Sequence, residues 1–315
     1  MPACQPPARC RILILGLPYF GRMIEGLLRE RGWNARFAAH PGRDLAAWAR
    51  LAPLVARADV VYLISSRLDR GSPQDRLVRI RRRPVVIHWV GTDVQIALEE
   101  HAKRNVSARL AENAIHWCDA PWLVDELRTI GIRSQHVPLP IPGLPRDAPP
   151  LPGQFRVLLY LPVDAFDREV FDVVTLLGLP RAFPEIPFVL IPSPAQTLPG
   201  PLPPNLDAPG WVTDMDALYR SITVSVRLTS HDGTSFMAVE ALARGRQVIW
   251  TFPFPGAIQA SGLAEVSATI RDLAARHAAG TLTLNDEGQS YVREHFDEKA
   301  LAENLDERLR AVLGW

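Results

Sequence analysis

Residues 138–153 read PLPIPGLPRDAPPLPG, with seven prolines and two glycines in sixteen positions. Proline lacks a backbone N–H and blocks its neighbour's helical geometry, so this stretch can hold neither a helix interior nor a central strand. It cuts the 315-residue chain into two halves of ordinary domain size, each obliged to build its own core. The predicted domains are 1–145 and 146–296, followed by a terminal helical segment, 297–315.

Each half alternates short apolar runs with helical periodicity. In the first, RILILG (11–16), NARFAA (34–39), DVVYLIS (59–65), PVVIHWV (84–90), AIHWCDA (114–120) and SQHVP read as strands. Between them lie a helix over 20–31 with Met23, Leu27 and Leu28 on one face, a helix interrupted near Pro53, a charged helix over 72–82, helical material over 93–113, and PWLVDELRTIG (121–131). In the second half FRVLLYL (155–161), PFVLI (187–191), a short strand ending near Trp211, TVSVRL (223–228) and QVIWT (247–251) alternate with helices at about 167–178, 214–220 and 235–244. From about Leu263 the pattern is largely helical, and the last segment puts Leu301, Leu305, Leu309 and Val312 on one face. Strands separated by helices of this length imply an α/β class with parallel sheets covered on both faces. Two such halves facing across a cleft would bind ligands beyond the carboxyl ends of their strands.

Composition narrows the function classes. No apolar run reaches the ~18 residues of a spanning helix, and MPACQPPARC lacks the features of a secretory signal, so a soluble cytoplasmic protein is expected. Cys4, Cys10 and Cys118 show no C-x-x-C spacing, which disfavours a disulfide scaffold or a cysteine zinc site. No H-E-x-x-H or G-x-S-x-G occurs, and no metal or cofactor is expected. The net charge of +1 conceals an asymmetry: residues 1–150 carry 22 Lys and Arg against 14 Asp and Glu, whereas the remainder carries 13 against 20. A basic first half favours anionic partners. The run Arg76–Arg83 reads either as a solvated helix face or as a contact for an anionic membrane surface at the inner face. Nucleic acid is not expected, because no aromatic residues interleave the basic ones.

Three loops at strand ends carry candidate chemistry. Gly16-Leu17-Pro18-Tyr19-Phe20-Gly21 follows the dinucleotide fingerprint except at Pro18, where the second glycine should allow close approach to a pyrophosphate. It reads as a tight turn or as the lining of an acceptor pocket formed by Gly16, Pro18 and Tyr19. His88-Trp89-Val90-Gly91-Thr92-Asp93 joins a buried strand to a helix. Here Asp93 is either a helix cap and His88 a core residue, or His88, Gly91, Thr92 and Asp93 line the cleft. In Thr229-Ser230-His231-Asp232-Gly233-Thr234-Ser235, a strand leads into the helix FMAVEALARG. The N–H groups at that helix start suit a diphosphate, and Glu240 can reach outward to two adjacent hydroxyls. The plainer reading makes Asp232 an N-cap and Glu240 a solvent-facing charge.

The stretch 206–251 resembles the nucleotide-sugar region of GT-B glycosyltransferases, particularly the large retaining family 4. Asp232-Gly233 and Glu240-Ala241-Leu242-Ala243-Arg244-Gly245-Arg246-Gln247-Val248-Ile249 match that family's recurring order, and the two acidic residues keep its interval of seven intervening residues. The resemblance implies two Rossmann-like domains and a terminal helix returning toward the first. It also implies transfer of a sugar from a UDP- or GDP-type donor to a hydroxyl acceptor, including lipid-linked ones, with retention and without a metal. By position, Glu240 would hold the ribose hydroxyls and Asp232 would sit beside the transferred sugar. Gly233, Thr234 and Ser235, beside His231, would receive the diphosphate, and Trp211, Val212 and Thr213 would border the base. The chain departs from the family in having Asp for the first Glu and Gln247 for a proline. It also lacks an evident Arg/Lys pair for the diphosphate, leaving Arg168 and, as a substitute, Arg227. An epimerase on the same fold and a non-catalytic nucleotide-binding protein are the alternatives.

Overall fold

The computed structural model describes residues 10–315 apart from 43, 81–82 and 165–167, so Cys4 and, within the basic run, Arg81 and Arg82 lie outside the described residues. The chain forms two compact units, Met1–Pro140 with Lys299–Trp315, and Ile141–Glu298.

The first unit holds strands β1 (Arg11–Gly16), β2 (Asn34–Ala39), β3 (Val60–Ile64), β4 (Val85–Trp89), β5 (Ile115–Cys118) and β6 (Ser134–His136) in one sheet of order β2-β1-β3-β4-β5-β6. The second holds β7 (Val157–Leu161), β8 (Phe188–Pro192), β9 (Leu206–Asp207), β10 (Val224–Arg227), β11 (Gln247–Trp250) and β12 (Ala257–Gln259) in the order β12-β11-β10-β7-β8-β9. Every pairing in both sheets is parallel. The central strands β3 and β4 are buried along their whole length, as expected for strands covered on both faces. In the second unit the strand order reverses on either side of β7, which pairs with β8 on one side and β10 on the other. In the first the corresponding point is β1, flanked by β2 and β3. Loops leaving the carboxyl ends at such switch points diverge and leave a crevice, where open α/β sheets bind ligands.

Five local features differ from the sequence reading. Pro53 does not interrupt its helix, Leu45–Arg57, because it lies on an exposed face where solvent can satisfy the carbonyl it leaves unbonded. The material over 93–113 is two helices, Thr92–Ala102 and Ala108–Asn113, the second capped by Ser107. The strand expected to reach Trp211 stops at Asp207, and β12 adds a sheet edge with only three residues, too short to read by pattern. The proline-rich segment is not a loose tether. From residue 146 it is bound to the second unit: Arg293 donates to the Arg146 carbonyl (3.1 Å), Arg246 to those of Pro149 and Pro150 (3.1 and 3.0 Å), and His277 bonds that of Pro152 (2.8 Å).

The terminal helix, Glu298–Leu313, buries Leu301, Leu305 and Leu309. The Trp33 indole donates to Asp306 (2.5 Å) and stacks on Trp315 at 5.7 Å, while Arg308 donates to Gln135 (2.7 Å). Among the described residues no helix is long and apolar enough to cross a membrane.

Candidate functional site

The loop after β10 is shaped by its own side chains and by the segment after β7. The Ser230 amide donates to the Val170 carbonyl (2.7 Å) and the Asp172 amide to that of Leu228 (3.1 Å), tying the two loops at the switch point. The Ser235 hydroxyl accepts from the Ala238 amide (3.3 Å), so Ser235, not Asp232, is the N-cap of helix Phe236–Ala243.

Asp232 instead pairs with Arg227. Nε and Nη2 of Arg227 donate to its two oxygens at 2.6 and 2.7 Å, and the Thr229 hydroxyl donates to Oδ2 (3.2 Å). The guanidinium is flanked by the rings of Tyr160 and Phe171, each 5.0 Å from its centre. Burial works against the arginine's charge, but the adjoining carboxylate more than offsets it, and the guanidinium is held more firmly protonated than usual. The expectation that Arg227 substitutes for a diphosphate cation therefore meets an arginine already neutralised by Asp232.

Arg168 is in the opposite state. Its Nε donates to the Pro162 carbonyl (2.5 Å), its Nη1 to that of Thr197 (3.1 Å), and its Nη2 to the hydroxyls of Ser193 (2.7 Å) and Thr197 (3.2 Å). All of these acceptors are neutral, so among the described residues the guanidinium is oriented by four oxygens without an ion pair. It bridges the loops after β7 and β8.

Glu240 lies more than one turn inside its helix and is half-buried. Its Oε2 accepts from the hydroxyl of the fully buried Tyr219 at 2.8 Å. Burial raises its carboxyl above the ordinary 4.5, against the lowering effects of the Tyr219 hydrogen bond and nearby Arg244. Tyr219 belongs to helix Met215–Arg220, which begins just after Trp211-Val212-Thr213. Trp211 is 75% exposed, and the preceding Gly210, at φ +85°, packs where a Cβ would come within 3.2 Å of Pro194. His231 and Gly233 are buried, and Thr234 is half-buried.

In the first unit Gly16 has φ +140°, and a Cβ there would sit 1.8 Å from the Ile64 carbonyl oxygen, so only glycine fits this turn. Pro18 opens helix Pro18–Glu30 and Tyr19 is exposed. Gly91, at φ +130°, precedes Thr92 at the start of its helix. His88 is fully buried, bonded to the Tyr62 hydroxyl and the Val137 carbonyl (2.9 Å), which makes it a link among core elements rather than a surface of the strand-end loops. Asp93 is buried and accepts from the amides of Val90 and Val94 (both 3.1 Å).

These buried groups make the first unit's stability pH-dependent. Burial pushes His88 down to about 3 and His116 down to about 4, and pushes Asp93 up to about 7. As pH falls from about 6 to 4.5, the unfolded chain protonates both histidines while the folded unit does not, which destabilises the fold. Asp93 acts in the opposite sense, because folded it holds a proton that the unfolded chain takes up only near 4. Asp93→Asn removes that opposing term. Its urea-unfolding free energy should fall more steeply with acidification than the wild type's, by about one proton, or roughly 1 kcal/mol per pH unit. Equal slopes in the two proteins would show Asp93 to be ionised in the fold.

No family model matches the chain, and no curated protein matches it either. Solved structures do place its architecture: two parallel α/β units in this order are the GT-B fold. The chain is similar to a sucrose-phosphate synthase from Thermosynechococcus elongatus (15% identity, TM-score 0.72) over 96% of this chain and 99% of that one. It is similar over the same shares to HepE from Anabaena, solved in complex with UDP-glucose (14% identity, TM-score 0.65). The glycosyltransferase SnogD from Streptomyces nogalater also shares the fold over 96% of this chain and 99% of its own (17% identity, TM-score 0.53).

Proposed function

We propose that the protein is a glycosyltransferase that moves a sugar from a UDP- or GDP-type donor to a hydroxyl acceptor, with retention and without a metal. The observation that carries this reading is Glu240, a half-buried carboxylate beside the switch point of the second sheet, with one oxygen held by Tyr219 and the other, among the described residues, without a hydrogen-bond partner. In this reading Glu240 accepts the ribose hydroxyls, the turn from Gly233 to Ser235 receives the diphosphate, and Trp211 to Thr213 border the base. Arg168 supplies the cation for the diphosphate, since among the described residues its guanidinium meets only neutral oxygens, whereas that of Arg227 is paired with Asp232. Charge growing on the leaving diphosphate would then meet donors already oriented, the usual source of electrostatic catalysis. Gly16, Pro18, Tyr19, Gly91 and Thr92, at the strand ends of the first unit, take the acceptor. A lipid-linked acceptor and docking of Arg76–Arg83 on an anionic membrane belong to the same proposal, as does a location at the inner membrane face.

One observation favours a second reading, nucleotide binding without transfer. Both oxygens of Asp232, the residue expected beside the transferred sugar, are engaged by Arg227. A thermal-shift screen of nucleotide sugars and nucleotides tests binding, and release of free sugar from the stabilising donor tests chemistry. UDP or GDP compounds should raise the melting temperature while NAD does nothing. Stabilisation with no hydrolysis or transfer supports the second reading. Absence of any shift removes both.

A further inference from the structure

Tyr219 lies within the 206–251 stretch but is not among its candidate site residues, yet Arg244, Arg246 and the acceptors of its hydroxyl all hold it. Arg244 lies over its ring at 4.8 Å and is itself oriented by Asp216 (Nε–Oδ1, 3.1 Å) and the Glu240 carbonyl (3.0 Å). Arg246, fully buried, donates Nε to the Tyr219 carbonyl at 2.9 Å and holds the Pro149 and Pro150 carbonyls with Nη2. The third contact is the hydroxyl, which has two acceptors in reach, Oε2 of Glu240 at 2.8 Å and the Met237 carbonyl at 3.2 Å. A phenol has a single proton to give, and an ionised carboxylate is the stronger acceptor.

We propose that Tyr219 is a positioning residue that fixes the rotamer of Glu240 by binding Oε2, so that Oε1 alone is presented to the vicinal hydroxyls of the bound nucleotide. The inference rests on the donor-site reading above. It follows from geometry: a glutamate on a helix has three side-chain torsions, and a hydrogen bond from a fully buried tyrosine, held at its ring by Arg244 and at its carbonyl by Arg246, removes most of that freedom before the ligand arrives. Preorganisation of this kind appears in affinity, because the ordering cost is met during folding rather than on binding. Arg244 and Arg246 bracket Gly245, and both brace the tyrosine that braces the glutamate.

The device also has a signature in pH. The groups facing the Glu240 carboxylate are Tyr219 from helix Met215–Arg220 and Arg244 at the end of its own helix. Asp216, paired to Arg244 and Arg220, stands behind them. The tyrosine hydrogen bond and Arg244 favour the ionised carboxylate, and burial opposes it. Without the hydroxyl, the carboxylate protonates at higher pH.

The experiment compares wild type, Tyr219→Phe and Glu240→Gln for the affinity of UDP and GDP between pH 5 and 8, with melting temperatures alongside. For whichever nucleotide the wild type binds, Tyr219→Phe should weaken binding about tenfold at pH 7.5, for the loss of one hydrogen bond to a charged group. It should also move the acidic limb of the affinity profile to higher pH. In turnover, KM for the donor should rise with kcat little changed. Tyr219→Phe keeps the ring beneath Arg244, so its fold should persist. If it binds like the wild type with the same acidic limb while Glu240→Gln does not bind, the positioning role is overturned and the donor site stands. If the wild type binds neither nucleotide, the donor-site reading itself fails. A lowered melting temperature with an unshifted pH limb would make Tyr219 a purely structural residue, also against the proposal.

Discussion

Glu240→Ala should abolish nucleotide-induced stabilisation and lower kcat/KM for the donor by about 100-fold or more, with a melting temperature close to the wild type's. The size of the loss comes from two hydrogen bonds between ligand hydroxyls and a charged oxygen, each worth about 1.5–3 kcal/mol. Even the lower figure, doubled, exceeds the roughly 2.7 kcal/mol of a hundredfold change. The small effect on stability follows from the surroundings. Removing a carboxylate that burial already disfavours costs the fold little, and the Tyr219 hydroxyl keeps the Met237 carbonyl as an acceptor at 3.2 Å. Calorimetric titration of the stabilising nucleotide, with thermal melts of the ligand-free proteins, checks both halves. Undiminished affinity in the variant would refute the donor site.

Asp232→Ala should do the reverse to stability. Arg227 would lose both oxygens of its partner while still enclosed by Tyr160 and Phe171. A charge stranded in that way costs about 3 kcal/mol or more, which for a unit of this size lowers the melting temperature by about 10 °C. The double variant Arg227→Leu/Asp232→Ala removes the stranded charge along with its partner. It should be less destabilised than the single variant, a non-additivity that marks a coupled pair. If both variants melt with the wild type, the pair has no structural role and Asp232 is free to serve a ligand. If the single variant melts low but the double regains stability without activity, the clamp orders the Thr229–Ser235 loop for function as well.

The alternation of apolar runs and helical segments was legible because period 2 and period 3.6 are local properties of the chain, and nearly every strand of both sheets lies where the pattern put it. The elements that escaped were the ones with too few residues to show a period, such as β12, and the places where solvent exposure rescued a proline, as at Pro53. The candidate loops were legible for a related reason: Gly16, Gly91 and the Asp232–Ser235 turn each mark a strand end in the sequence. What those loops contain was not. His88 and Asp93 look alike on paper as polar residues at a strand end, yet one is inside the core and the other is wrapped by backbone amides.

Local chemistry along the chain settled the number of parallel sheets, the position of the proline-rich segment between them, and the two carboxylates eight residues apart. It could not say which carboxylate is open to a ligand, because that depends on partners distant in sequence. Phe171, brought beside Arg227 by its antiparallel bridge to Thr229, helps commit Asp232 to an ion pair. Tyr219, from a different helix, ties one oxygen of Glu240 and, among the described residues, leaves the other open. Likewise the chain shows Arg168 only as a candidate cation for the diphosphate until folding places it among the carbonyl and hydroxyl oxygens of Pro162, Ser193 and Thr197. Charge and residue type are written in the chain, but the availability of a charge is decided by what folding sets against it.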